Sequence, residues 1–212
     1  MPIFLEPSMN AEQTRWLQNS IDWQRGSWSL ILPPHFDAYV RIYPTVEVGG
    51  RRVKWRNLLP DLGHIWREDI DGRDLFDSVN EASRRKCDEG SLSLDAAVEL
   101  AHCLGPVSSS KWYFAYWNGF GNLVKGIDQG CTFELPFREY FLHEGGAECL
   151  ALSAVAYPWY QSANIVWPAD QNWCLAMEVD FFTAYMGCSR SVADLLLSNK
   201  RIECSIADSI HC

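Results

Sequence analysis

Between residues 36 and 43 apolar and polar positions alternate: Phe36, Ala38, Val40 and Ile42 against Asp37, Tyr39, Arg41 and Tyr43. A period of two is that of a half-buried strand, and Pro33-Pro34 and Pro44 bound it. Upstream the period is helical. Trp16, Leu17 and Ile21 share one face, Asn10 can cap the first turn, and Gln13 stands three residues on, as in a capping box. That helix should end before Arg25-Gly26.

Gly49-Gly50 between EV and RRVKW is a two-residue hairpin signal. Residues 61–92 are polar and charged, and a short helix is predicted near 74–86. A clearer helix covers SLDAAVELAHCLGP (93–106), with Ser93 as cap, Leu94, Ala97, Val98, Ala101 and Leu104 as the apolar stripe, and Gly105-Pro106 as the stop. KWYFAYW (111–117) is aromatic on both faces, which predicts a central strand. CTFEL (131–135) and EYFLH (139–143) predict two more strands, and GGAECLALSAV (145–155) a helix. WCLAMEVD (173–180) and FTAYMG (182–187) predict paired strands or one bent strand, SVADLLLSN (191–199) a helix capped by Ser189, and IECSI (202–206) a last strand.

This order predicts a single α+β domain over residues 1–212, with a mixed, mostly antiparallel sheet flanked by a few helices. Length agrees, since 212 residues suit one large domain. Apolar residues at 48% can supply a core, and ten tryptophans predict one rich in aromatics.

The net charge of −9 disfavours nucleic acid as a partner and favours a basic one. Two basic runs, Arg51-Arg52-Val53-Lys54-Trp55-Arg56 and Arg84-Arg85-Lys86, stand against that background and read as a solvated strand edge and a helix end. The eight cysteines are scattered through apolar segments, and MPIFLEPSMNAE has neither a basic start nor a sustained apolar stretch. Reduced, mostly buried thiols in a cytoplasmic protein are therefore expected. The longest apolar run, CLALSAVAYPWY (149–160), falls short of the roughly 20 residues of a membrane span.

Most catalytic patterns fail on spacing. HEGGAEC (143–149) has Ala147 where a zinc-protease helix needs its second histidine. SSSK (108–111) follows a helix stop and precedes a strand, which makes it a loop. GFG (119–121) lacks the third glycine of a dinucleotide loop, and there is no Cys-x-x-Cys pair. His102 and Cys103 are helical neighbours that point about 100° apart. No cofactor or metal is implied.

The exception is WPADQNWCLAMEVD (167–180). On a continuous strand Glu178 and Asp180 would share a face, roughly 6–7 Å apart, a spacing suited to a metal or an acid–base pair. Their other reading is a solvent-facing strand end whose acids pair with arginine. Trp167 and Trp173 would wall a cleft there, with Tyr113, Trp117 and His143 as further wall residues.

ILPPHFDAYVRIYP (31–44), RRVKW (51–55), KWYFAYWNGFG (111–121), ELP (134–136) and QSANIVWPADQNWCLAMEVDFFTAYMG (161–187) together resemble an uncharacterised bacterial protein family common in actinobacteria. The matching positions of the last block are Asn164, Trp167, Pro168, Asp170, Trp173, Cys174, Ala176, Glu178, Asp180, Tyr185 and Gly187. Departures fall at Ala163, Val166, Gln171 (an arginine in the pattern) and Cys188. The resemblance implies a fold and brings no activity. RWLQNSIDW followed by LPPHFDAY is also similar to the SUKH superfamily of bacterial immunity and regulatory domains.

Two functions follow as expectations. The first is a non-enzymatic, intracellular protein-binding module of immunity or regulatory type, using an acidic, aromatic-rich surface drawn from Trp117, His143, Trp167, Asp170, Trp173, Glu178, Asp180 and Tyr185. The alternative is a small-molecule binder or hydrolase-like enzyme with a tryptophan-walled cleft and the Glu178/Asp180 pair.

Overall fold

The computed structural model describes residues 5–21, 31–68, 70, 72, 85–86 and 89–207. Their strands are β1 Glu6–Pro7, β2 Ala38–Ile42, β3 Val46–Val48, β4 Arg51–Val53, β5 Arg85–Lys86, β6 Trp112–Trp117, β7 Thr132–Leu135, β8 Arg138–Gly145, β9 Ile165–Pro168, β10 Trp173–Ala176, β11 Ala184–Cys188 and β12 Cys204–Ile206. The α-helices are α1 Arg15–Ser20, α2 Trp55–Leu58, α3 Leu94–Leu104 and α4 Arg190–Ser198.

Nine strands form one sheet in the order β1-β8-β6-β9-β10-β11-β2-β12, with β7 pairing the same edge of β8 as β1. Every pairing is antiparallel, and the fold is α+β. The sheet is buried on both faces. Val40, Ile42, Trp112, Phe114, Tyr116, Val166, Trp173 and Leu175 point into a core closed by α3 and α4. Tyr39, Tyr113, Ala115, Ile165, Trp167, Cys174 and Ala176 point into a second core, which takes in Leu17 and Ile21 beside α1 and Ile31-Leu32. KWYFAYW is accordingly the central strand its composition predicts. The alternation at 36–43 is not half-buried, because Tyr39 faces the second core as Val40 faces the first.

Close approach fixes one glycine. A Cβ on Gly187 of β11 would stand 2.2 Å from the ring of Phe36. The β3–β4 hairpin turns at Gly49-Gly50, whose φ values of 58° and 80° meet the two positive φ angles of a type I′ turn. β3 also pairs β5, giving a lesser three-stranded sheet around Tyr43, Val46, Trp55, Leu58, Leu59 and Ile70.

Several predicted elements change. α1 is shorter than expected, with a 3₁₀ turn at Ala11–Thr14 before it and extended backbone at Ile21 after it. The helix expected at 74–86 lies outside the described residues except at its end, where Arg85–Lys86 is strand. In α3 the buried stripe is Ala97, Leu100, Ala101 and Leu104, whereas Leu94 and Val98 are exposed. Ser93 makes no cap bond with its side chain and instead accepts from Thr45 N–H at 3.1 Å. The segment 145–155 holds only a 3₁₀ turn, Ala147–Ala151, because Gly145 is still paired in β8 and Leu152 returns to extended backbone. No helix among the described residues is long and apolar enough to cross a membrane.

Candidate functional site

The tryptophans of the 167–180 block are core. β9 and β10 form a hairpin inside a sheet covered on both sides, so successive side chains enter opposite cores. Trp167 packs 5.7 Å from Tyr113 on one face, and Trp173 packs edge-on to Trp112 at 4.7 Å on the other, both fully buried. Trp173 Nε1 donates to Ser108 Oγ at 2.6 Å, and Ser108 Oγ donates to the Leu104 carbonyl. Asp170 accepts from Ser109 N–H at 2.9 Å, which ties the β9–β10 turn to the SSSK loop. WPADQNW is thus an anchored turn, and the expected wall residues Trp167, Trp173 and Tyr113 face no cleft.

Glu178 and Asp180 lie past the end of β10, in a turn where Phe181 N–H donates to the Glu178 carbonyl at 3.0 Å. The continuous strand expected to carry them stops at Ala176. What gathers them is Arg138, the first residue of β8. Its Nε pairs with Glu178, and its Nη2 stands 3.0 Å from Asp180. The second Glu178 oxygen accepts from Asp180 N–H at 2.7 Å. The guanidinium lies 4.9 Å above the ring of Trp117. Both carboxylates are committed to a cation, and the arrangement is an ion-pair cluster on an aromatic floor.

His143 does not join them. It is 1% exposed, five residues along β8 from Arg138, a separation of roughly 17 Å. Its Nε2 is 2.8 Å from the Ile127 carbonyl, and burial lowers its pKa, keeping the imidazole neutral. Tyr185 is nearly buried, between Phe181 and Arg41. Of the eight residues expected to form a surface, Asp170, Glu178, Asp180 and Trp117 reach solvent, and the last three meet at Arg138.

The β7–β8 hairpin beside this cluster carries the signal that pattern reading misses. Its turn is Leu135-Pro136-Phe137-Arg138, with proline where a type II turn favours it. The next position requires positive φ and normally takes glycine; here Phe137 holds φ 72° and is 86% exposed. A bulky residue there is a backbone outlier. Glu134 stands directly opposite Glu139 across the hairpin, a like-charge pairing that disfavours the isolated strands. A shallow cavity of about 280 Å³ is lined by Glu134, Leu135, Phe137, Arg138 and Glu139. Glu178 and Asp180 hold the guanidinium, while Glu134 and Glu139, one position further from the turn, stand on the alternate face of the hairpin.

Among the described residues no group of three or more His, Cys, Asp and Glu is placed to hold a metal ion. The described cysteines form no disulfide, and Cys149, Cys174 and Cys188 are buried. Burial pushes Cys188 up to about 12 and Cys204 to about 11, away from thiolate chemistry. Cys103 is half-buried and receives Asn199 Nδ2 at 2.7 Å, while His102 is exposed. Comparison of the chain with protein-family models, with curated proteins and with solved structures gives no match.

Proposed function

We propose that the chain is a non-enzymatic protein-binding module that docks a basic partner through the tip of the β7–β8 hairpin. The observation that carries this reading is Phe137, an exposed aromatic ring held at φ 72° inside an acidic frame. A strained, solvent-facing aromatic gains nothing for the free fold, whereas as an interface anchor it supplies apolar area at low entropy cost. Glu134, Glu139, Glu178 and Asp180 would steer and orient a cationic surface around it. Arg138, braced by Trp117 and two carboxylates, fixes the tip so that little ordering is lost on binding. An immunity or regulatory protein that masks a basic target is the kind of module this describes.

The carboxylate-pair enzyme has less support, since Arg138 occupies the acids and the tryptophans are core. The test is co-purification followed by titration of the isolated partner against wild type, Phe137→Ser and Asp180→Lys. At least a roughly tenfold loss in both variants, with wild-type affinity falling as salt rises, is the expected result. A partner held equally by Phe137→Ser removes the proposal.

A further inference from the structure

The two basic runs, some thirty residues apart in sequence, meet on the lesser sheet. In its register Arg51 and Arg85 are both opposite Val48, and Arg52 and Lys86 are both opposite Glu47. Arg51 and Arg52 are exposed on β4, an edge strand. Arg56, half-exposed, lies 4.2 Å over Trp66 at the start of α2. Of the four cations within 51–56, Arg56 pairs with Glu203 at 3.8 Å and Arg52 faces Glu47 across the hairpin, in a chain whose net charge is −9.

The exposed Arg51 and Arg52 are opposite in charge to the exposed Glu134 and the half-exposed Glu139 of the hairpin tip. The two patches sit on different sheets, the first on the lesser sheet and the second at the β7–β8 end of the larger one. Glu178 and Asp180 are taken by Arg138 within the chain, which leaves Glu134 and Glu139 as the tip's complement to Arg51 and Arg52.

We propose that the β4 edge receives the hairpin tip of a second copy, with Arg51 and Arg52 set against Glu134 and Glu139 around Phe137. This rests on the reading of the tip as a docking surface, and names a second copy of the chain as one basic partner it takes. The contact joins two different patches, so it is heterologous and builds head-to-tail chains or rings. Being electrostatic and at the surface, it weakens with salt.

The test is sedimentation equilibrium of the full chain at about 0.02 M and about 0.5 M salt. Wild type is expected to exceed monomer mass at low salt and return to it at high salt. Arg51→Glu/Arg52→Glu and Glu134→Lys/Glu139→Lys should each lose at least about tenfold in association constant, and neither reversed surface can seat on the other's intact one in an unmixed solution. Mixing the two variants should restore association, because the intact tip of one meets the intact β4 edge of the other and the two reversed surfaces are again opposite in charge. Thermal melting checks that both variants fold. A wild type that stays monomeric at low salt overturns the inference, as does association that survives both reversals or a mixture that stays monomeric. None of those outcomes decides the tip reading, which stands or falls on Phe137→Ser with the co-purified partner.

Discussion

Arg138 Nη2 stands 3.0 Å from the carboxylate of Asp180, while the same guanidinium pairs through Nε with Glu178. One side chain thus bridges the start of β8 to the turn after β10, two segments that are not neighbours in the sheet. The partners differ in burial: Glu178 is 14% exposed and Asp180 73%. Arg138→Ala leaves the shielded Glu178 without a counter-ion and should cost about 2–3 kcal/mol. Asp180→Asn should stay within about 0.5 kcal/mol of wild type. Urea midpoints at constant m-value separate the two, and equal costs would show that Glu178 does not dominate the cluster.

Phe137→Gly should raise stability by about 1 kcal/mol, because glycine takes the left-handed position without the steric cost of a Cβ. The ring is 86% exposed, so almost no packing is lost. Partner affinity should fall at least about tenfold in the same variant. Thermal melting and titration together read the trade. Higher stability with unchanged affinity would leave the strain without a functional cause.

The strands were legible where composition alone decides. KWYFAYW has no polar face, and only the middle of a twice-covered sheet accommodates that. The Gly49-Gly50 turn and the Ser189 cap were legible because each depends on one local bond or dihedral. The 145–155 helix was not, because Gly145 belongs to a strand register set by distant β6. β9 escaped notice because its apolar run is only four residues long and ends in proline. At the site, Glu178 and Asp180 stood out as a carboxylate pair, but their counter-ion lies 40 residues away and no spacing rule reaches it. Phe137 follows proline in ELPFR, and that dipeptide signals a turn without announcing which φ its second residue must adopt.

Asn164 connects the core to this tip. It is 2% exposed, its Oδ1 accepts from Trp117 N–H at 2.9 Å, and its Nδ2 donates to the Met177 carbonyl at 3.3 Å. Asn164→Leu keeps the volume and leaves both backbone groups unpaired, at an expected cost of about 2–4 kcal/mol. Trp117 is the floor beneath Arg138, so hydrogen exchange at 117–118 and 138–139 should quicken together in this variant. Exchange that changes only near residue 164 would separate the two regions.

Buried thiols should be slow to react. Native protein at neutral pH is expected to leave Cys149, Cys174 and Cys188 unmodified by an aromatic disulfide reagent, and, among the described cysteines, half-buried Cys103, Cys131 and Cys204 to react before them. Denaturant should release the three within the unfolding transition. Mass mapping of the labelled peptides reads the order, and early labelling of Cys174, sealed between β9 and β11, would contradict its place in the second core.

Glu203 fastens the lesser sheet to the larger one. Its carboxylate, 7% exposed, accepts from Trp55 N–H at 2.6 Å and Arg56 N–H at 2.9 Å, donors of the first turn of α2. Removing it in Glu203→Ala orphans both, for an expected loss of about 2–3 kcal/mol. Burial raises its pKa above the ordinary 4.5, and these two N–H groups, with Lys54 and Arg56, only partly offset that. The folded chain therefore keeps this proton at a pH where the unfolded chain has lost it. The stabilisation linked to the proton is complete below the unfolded value and is lost as pH rises through the folded one. Glu203→Gln does not titrate there, so the stability of wild type minus that of Glu203→Gln should decline from about pH 4 upward and then level off. Urea unfolding of both proteins across that range measures it. A difference that grows with pH would mean that the donors and the flanking cations outweigh desolvation, and that the ionised carboxylate is the form the fold prefers.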